Sequence, residues 1–260
     1  MTQSLPNNED ARFEALQLAM HAFGLSKTQL RLKAERQVDP ASYLELVRRR
    51  AAGEPLQYLL GQWEFFGLNF AVGPGVLIPR PETEMLVELA IEHLQDFEAP
   101  TVLDLCAGTG CVGLSVAHHC PNAQIYLLEL SGEALPYLTQ NAANYPSANV
   151  IQGDMLHAQC SMLNAQLILS NPPYVPTKEI SGLSKEVQQE PKMALDGGED
   201  GLKFYRAIAE IWRPRLMPGG VLGMECGEGQ ADDIARLFAG DQIEILRDFN
   251  DIRRVVIVRC

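Results

Sequence analysis

The chain has 260 residues, 47% hydrophobic and 21% charged, which suits a globular protein with one large core and room for a small extra domain. Its net charge of −12 is uneven: residues 1–60 hold 8 Lys+Arg and 7 Asp+Glu, net +1, whereas the remainder holds 13 and 26, net −13. No Lys or Arg occurs between Arg80 and Lys178, which argues against a phosphate backbone lying across that stretch, and no apolar run reaches the ~18 residues of a membrane span.

The polar segment Met1–Asp10 lacks a hydrophobic signal region, so the expected location is cytoplasmic. The first sixty residues read as short helices. Asn8 is placed to cap one that carries Phe13, Leu16, Met20 and Phe23 on one face and stops at Gly24. Ser26 is placed to cap a second, and Asp39-Pro40 to open a third through Tyr43, Leu46 and Val47 to Gly53. Tyr58–Gly61 and Leu68–Val72 read as two short strands around Gly67, a hairpin. These features divide the chain into a helical bundle at 1–56, a β-hairpin connector at 57–80 and a larger unit at 81–260.

From Pro81 onward strands and helices alternate. Helix 81–96 is followed by strand 101–106, helix 110–119, strand 124–129, helix 131–144, and strands 149–152 and 166–170. After a loop come helix 201–215, strand 220–225, helix 229–239 and two last strands near 242–247 and 253–259. Alternation of this kind predicts an α/β fold, a parallel sheet with helices on both faces. The last two strands, with no helix between them, predict a hairpin at one sheet edge. Six cysteines (Cys106, Cys111, Cys120, Cys160, Cys226 and Cys260) show neither C-x-x-C nor zinc spacing, so they are read as free thiols and no metal site is expected.

Leu103-Asp104-Leu105-Cys106-Ala107-Gly108-Thr109-Gly110 follows an apolar strand and opens a helix. Gly108 and Gly110 permit a tight turn and close approach of a ligand, and Gly113 permits close helix–strand packing. Such a loop suits NAD, flavin and S-adenosylmethionine alike. Asp104, inside the strand, is suited to fixing loop amides or a cofactor's amino end. Glu129 ends the next strand, where a carboxylate accepts ribose hydroxyls. Gly153-Asp154 ends the third, where the acid either reaches an adenine amino group or caps a turn.

Strand 166–170 runs into Asn171-Pro172-Pro173-Tyr174. The two prolines fix φ and remove two amide donors, leaving backbone carbonyls as acceptors. With the Asn171 side-chain oxygen, they offer paired acceptors for the two hydrogens of an NH₂ group, and Tyr174 adds a flat face. These features resemble methyltransferases that act on NH₂ groups conjugated to a π system, which include N6-adenine DNA methyltransferases and protein glutamine methyltransferases.

The match to one family runs over nearly the whole chain. Gly53–Gly61, Val76-Leu77-Ile78-Pro79-Arg80-Pro81-Glu82-Thr83-Glu84, Asn171–Tyr174, Glu190-Pro191 with Ala194-Leu195, Gly198-Glu199-Asp200-Gly201-Leu202, Leu216–Gly220 and Glu225-x-Gly227-x-x-Gln230 are similar to segments of the HemK/PrmC protein-(glutamine-N5) methyltransferases. Cys106 stands where that family usually has Gly, Glu129 where it has Asp, and Met155-Leu156 where it often has an aromatic. The resemblance implies a Rossmann-like class I sheet of seven strands, the last antiparallel, with a small N-terminal helical domain. It implies S-adenosylmethionine as cofactor, held by Asp104, Cys106, Ala107, Gly108, Thr109, Gly110, Glu129, Asp154, Met155 and Asn171. It implies that Asn171 and Pro172 hold a glutamine amide, with Pro173 and Tyr174 beside it, so that Asn171, Pro172 and Tyr174 are the expected catalytic residues. The implied partner is a peptide chain release factor. A single glutamine side chain offers too few contacts to choose one protein, so the nearly neutral helices of 1–56 are expected to recognise it, in a monomeric enzyme. A ribosomal protein as acceptor is the near alternative, and DNA adenine the distant one.

Overall fold

In the computed structural model, which describes residues 8–32, 40–157 and 163–260, alternating apolar residues build a sheet buried on both faces. Strand β3 (Thr101–Leu105) sends Val102 to one face and Leu103 and Leu105 to the other. Strand β6 (Ala165–Ser170) sends Leu167 and Leu169 one way and Ala165 and Ile168 the other. Such two-sided burial requires helices over both faces. One face is covered by α5 (Glu84–Leu94) and α6 (Cys111–His119), with α7 (Leu135–Ala142) beside them. Past the short helix α8 (Lys192–Leu195), the other is covered by α9 (Lys203–Ala207) and the π-helical turn Ile208–Trp212 that continues it, with α10 (Ala231–Arg236).

The strand order is β5-β4-β3-β6-β7-β9-β8, where β4 is Gln124–Glu129, β5 Ala148–Gln152, β7 Leu216–Glu225, β8 Gln242–Arg247 and β9 Arg253–Arg259. Strands β3 to β7 pair in parallel, whereas β9 runs antiparallel between β7 and β8. The seven strands, the antiparallel last strand and the edge hairpin agree with the sequence. The chain winds outward from β3 through β5, then returns to place β6 on β3's other side. Loops from the carboxyl ends of β3 and β6 therefore diverge and leave a crevice, the usual ligand position in such sheets.

The N-terminal part differs in detail from expectation. Helix α1 (Asn8–Phe23) stops at Gly24, with φ of 60°, but its buried residue is Leu18, and Phe13 is 49% exposed. Leu18 meets Leu56 and Leu59, which explains the change of face. The capping side chain of Asn8, and Asp39 and Cys160, lie outside the described residues. Ser26 does cap α2 (Lys27–Leu32): its hydroxyl accepts the Gln29 amide at 3.2 Å while the Gln29 side chain accepts the Ser26 amide at 2.9 Å. Tyr43, Leu46 and Val47 of α3 (Ala41–Ala51) pack on the same small cluster.

Residues Tyr58–Gly61, expected as a strand, form most of a short helix, α4 (Leu56–Leu60). Pro55 precedes it, Leu56 and Leu59 face the Leu18 cluster, and Gly61 at φ 72° ends it. The hairpin begins one residue later, pairing β1 (Gln62–Phe65) with β2 (Leu68–Ala71). Both turn residues, Phe66 and Gly67, have positive φ, which matches the right-handed twist of a two-residue hairpin. The Glu84 carboxylate holds this turn by accepting the Phe66 amide at 2.8 Å.

Several later helices are shorter than their apolar periods suggest. Pro81–Thr83 is a 3₁₀ turn before α5, and the stretch 201–215 is broken into α9, the π turn and the 3₁₀ turn Arg213–Arg215. Strand β7 starts earlier than expected, at Leu216.

Candidate functional site

The loop after β3 is held by the strand it leaves. Asp104, 2% exposed, accepts the Gly113 amide at 2.9 Å and so fixes the first turn of α6. A Cβ at Gly113 would collide with Leu127 and crowd the Asp104 carboxylate, so glycine there permits the approach. Burial raises Asp104 to about 7; the Gly113 hydrogen bond opposes that rise and the Glu129 charge adds to it. Cys106 has a φ of 62°, a conformation that favours glycine. Gly108 and Gly110 continue the left-handed path, with φ of 56° and 79°.

Glu129 closes the loop from the neighbouring strand. One carboxylate oxygen accepts the Gly108 amide at 2.7 Å and the other accepts the Ser131 amide at 2.7 Å. A carboxylate has about four lone-pair positions, so two stay available to a ligand. Asp154 does what a turn-capping aspartate does, accepting the Leu156 amide at 2.9 Å, while still lining the pocket. Met155 is buried against the Cys106 sulfur at 3.2 Å, and its carbonyl accepts the Trp212 indole N–H at 2.9 Å.

These groups share one pocket. Cys106, Gly108, Glu129, Asp154, Met155, Asn171 and Pro173 line it, with Leu130, Ser131, Phe204, Met193 and the segment Gly75–Leu77. Asp104, Ala107, Thr109 and Gly110 stand behind the wall and support it. The Ala107 amide bonds Leu128 O at 3.0 Å, the Gly110 amide bonds Ala107 O at 2.7 Å, and Thr109 O accepts the Asn141 side chain at 2.9 Å. Pocket-lining Leu130, Ser131 and Phe204 were not legible as site residues, since nothing in their local pattern sets them apart.

A second pocket, lined by Arg80, Tyr174, Val175, Leu183, Val187 and Leu195, meets the first at Leu77, Asn171 and Ala194. Pro172 and Pro173 are buried, and among the described residues none donates to the Pro172 carbonyl. The Asn171 amide nitrogen donates to Thr83 Oγ1 at 3.1 Å, which turns the side-chain oxygen the other way. Thr83 in turn donates to Glu225 at 2.5 Å. Thr83 and Glu225 are both 2% exposed.

The Tyr174 backbone is clamped. Its carbonyl accepts the Gln230 side chain at 2.9 Å, and Gln230 also accepts the Gly227 amide at 2.9 Å. Gly197 and Gly201 press so closely on the Tyr174 backbone that a Cβ at either would clash. Burial, with the Glu225 charge behind it, pushes the Tyr174 phenol up, so it stays protonated.

The segment over the crevice is tied to the site by Glu190, 5% exposed, which pairs with Arg80 and accepts the Ile78 amide at 3.0 Å. Tyr58 donates to Val76 O at 2.6 Å from the N-terminal side. Arg50 of α3 joins Glu14 of α1, at 2.8 Å, to Glu186 of the segment after Tyr174, at 2.7 Å. Among the described residues no group of three His, Cys, Asp or Glu is arranged to hold a metal ion, and no helix is long and apolar enough to cross a membrane.

Family models described as the PrmC N-terminal domain and the methyltransferase small domain match residues 1–61 and 82–199. The release factor glutamine methyltransferase of Moorella thermoacetica is 41% identical over 237 residues, covering 88% of this chain and 83% of its own. That of Thermodesulfovibrio yellowstonii is 39% identical over 256 residues, covering 95% and 91%. Among solved structures, the catalytic domain of hMettl16 bound to a MAT2A 3′UTR hairpin superposes with a TM-score of 0.59 at 12% identity, covering 74% of this chain and 76% of its own. A methyltransferase from Pyrococcus furiosus gives 0.52 at 16% identity, covering 85% and 98%. At these identities the structures speak for the sheet architecture alone.

Proposed function

Because the chain belongs to the release factor glutamine methyltransferase family, we propose that it transfers a methyl group from S-adenosylmethionine to the side-chain amide nitrogen (N5) of the glutamine in the Gly-Gly-Gln motif of peptide chain release factors. The observation that carries this reading is the meeting of two pockets at Asn171. One suits a nucleoside cofactor and the other a planar amide. A cytoplasmic location goes with the release factor as acceptor.

The residues of the first pocket fit the cofactor. Glu129 keeps two lone-pair positions for the ribose hydroxyls while its other two hold loop amides. Asp154 and Met155 provide a polar edge and an apolar wall for adenine, and Cys106 and Gly108 provide the floor. When bound, the cofactor supplies an electrophilic methyl group on a positively charged sulfur.

The chain's own task is to present a nitrogen to that methyl group. An amide nitrogen is a poor nucleophile because its lone pair is delocalised. Asn171 Oδ1 and the Pro172 carbonyl accept its two hydrogens, which localises the lone pair and fixes the approach line; once methylated, the nitrogen sheds one of those two protons to water. Positioning of this kind supplies a large part of the rate enhancement. Tyr174 packs beside the amide plane as a neutral ring. Cys106 is no rival acceptor: burial, and then the charges of Glu129, Asp104 and Asp154, hold its thiol protonated.

We assign residues 1–56 to acceptor recognition, 57–80 to the connector and 81–260 to methyl transfer. One glutamine side chain offers too little surface to select a protein, and the Arg50 bridge from α1 and α3 to Glu186 ties these helices to the acceptor-side wall.

The test is transfer from labelled cofactor to purified release factor, ribosomal proteins and duplex DNA in parallel. Label is expected on the Gly-Gly-Gln glutamine. Label in ribosomal protein or DNA, with none in the release factor, would reject the reading.

A further inference from the structure

Strands β6 and β7 are neighbours in register, Ser170 opposite Met224, so the next residues, Asn171 and Glu225, stand side by side where the sheet meets the site. Thr83, from the turn before α5, bridges them: Asn171 Nδ2 lies 3.1 Å from its hydroxyl oxygen, and that oxygen lies 2.5 Å from Glu225 Oε2. Building on the amide-methylation reading above, we propose that Thr83 and Glu225 are positioning residues that hold the Asn171 amide with its oxygen, not its nitrogen, toward the acceptor.

Donor counting fixes this orientation. A hydroxyl has one proton. A carboxylate only accepts, so the Thr83 proton is committed to Glu225. The Thr83 oxygen can then only accept from Asn171, and only the Asn171 nitrogen can donate. The Asn171 oxygen is left facing the pocket, where an NH₂ group needs an acceptor. Were the amide reversed, its NH₂ would face the acceptor's NH₂, two donors with nothing between them. Glu225 thus sets, through Thr83, a polarity that Asn171 cannot set for itself.

The same chain predicts when the polarity fails. A protonated Glu225 becomes a donor, frees the Thr83 proton to point at Asn171, and lets the amide turn its oxygen inward. Burial raises Glu225 to about 7, against the pull of Thr83 and Arg254, with Glu82 adding to the rise and Arg80 opposing it. The other titratable groups around it are Tyr174 after β6, Tyr205 of α9, Cys111 of α6 and adjacent Cys226. Burial pushes all four up, so they remain neutral through this range.

The experiment uses the full chain with release factor and labelled cofactor, comparing Thr83→Val, which keeps the shape without the hydroxyl, with Thr83→Ser, which keeps the hydroxyl. For Thr83→Val, kcat should fall about tenfold or more, as for one lost hydrogen bond in the transition state. Its cofactor Kd by calorimetry should stay within about twofold, and Thr83→Ser should recover most of the rate. Wild type should lose kcat as pH falls through about 7, and Thr83→Val should lack that limb. Equal losses in the Val and Ser variants, or a loss that tracks cofactor Kd, would overturn the proposal. Should Thr83→Val not fold, Glu225→Gln serves, since it cannot ionise; an acid limb unchanged in that variant is equally fatal. A wild-type enzyme that methylates no glutamine amide would instead reject the underlying function.

Discussion

The Glu129 carboxylate accepts the Gly108 amide at 2.7 Å, so the end of one strand holds the loop that leaves its neighbour. Its second oxygen holds Ser131. On the proposed reading Glu129→Ala therefore removes a ribose partner as well as the tie that shapes the pocket. A charge-assisted hydrogen bond is worth about 1.5–3 kcal/mol, so S-adenosylmethionine affinity should weaken roughly tenfold to a hundredfold. Calorimetry with the cofactor checks this, and an unchanged Kd would remove Glu129 from the site.

Asn171 lines both pockets, and its side-chain nitrogen donates to Thr83. Asn171→Ala should leave cofactor affinity near wild type while kcat falls by about 10² or more, the scale of losing one preorganised polar contact to the reacting group. Near-normal turnover would reject the amide clamp.

Asp104 links the site to stability. Burial sets it at about 7 in the fold, against 3.8 as its ordinary value. Below the lower value both states hold the proton and the fold loses nothing. As pH rises toward the folded value, the unfolded chain gives up its proton while the fold keeps it, so stability falls. Asp104→Asn has no charge to bury and keeps an oxygen for the Gly113 amide. Its urea midpoint should fall less steeply than wild type between about pH 4 and 7. Glu225, raised by the same cause, leaves part of the slope in place. Identical slopes would show that Asp104 titrates normally.

A groove beside α1 and the hairpin is lined by Phe13, Met20, Leu25 and Trp63. Phe13 is half exposed and outside the core, so Phe13→Glu should leave the melting temperature within about 2 °C. If these helices recognise the acceptor, kcat/KM for intact release factor should drop several-fold, while a short Gly-Gly-Gln peptide is methylated as before. Equal rates on both acceptors, matching wild type, would take this groove out of the recognition surface.

Duplex DNA should not bind. Arg48, Arg49, Arg50, Arg80, Arg206, Arg213, Arg236, Arg247, Arg253, Arg254 and Arg259 all pair with carboxylates. These eleven of the 21 Lys and Arg residues are thus engaged, and the net charge of −12 opposes a phosphate backbone. Fluorescence anisotropy at micromolar protein and about 0.15 M salt should show no association. A steep salt-dependent signal would revive an adenine acceptor.

The parts of this molecule that follow from local rules were readable beforehand. Alternation of strands and helices pointed to the sheet, and glycine spacing with the acidic strand ends pointed to the loop that borders the first pocket. Tyr58–Gly61 misled because a short apolar run fits a strand or a buried helix equally; the choice was made by Leu18, far away in sequence. Thr83 was visible only as part of a connector motif, and Glu225 only as part of a strand end. Their joint action on Asn171 depends on β6 and β7 being neighbours. Leu130, Ser131 and Phe204 reach the pocket through the path of the backbone, which carries no residue-type signature.

The shared wall at Asn171 has a kinetic consequence. On the proposed reading each ligand has its own chamber, so neither would have to leave before the other enters. A double-displacement route would need the protein to carry the methyl group between half-reactions, and the thiol nearest the cofactor chamber is held in its unreactive form. The proposed function therefore expects both substrates aboard at once. Initial rates at several fixed acceptor concentrations should give double-reciprocal lines that intersect, and parallel lines would mean that a covalent methyl carrier exists in the protein after all.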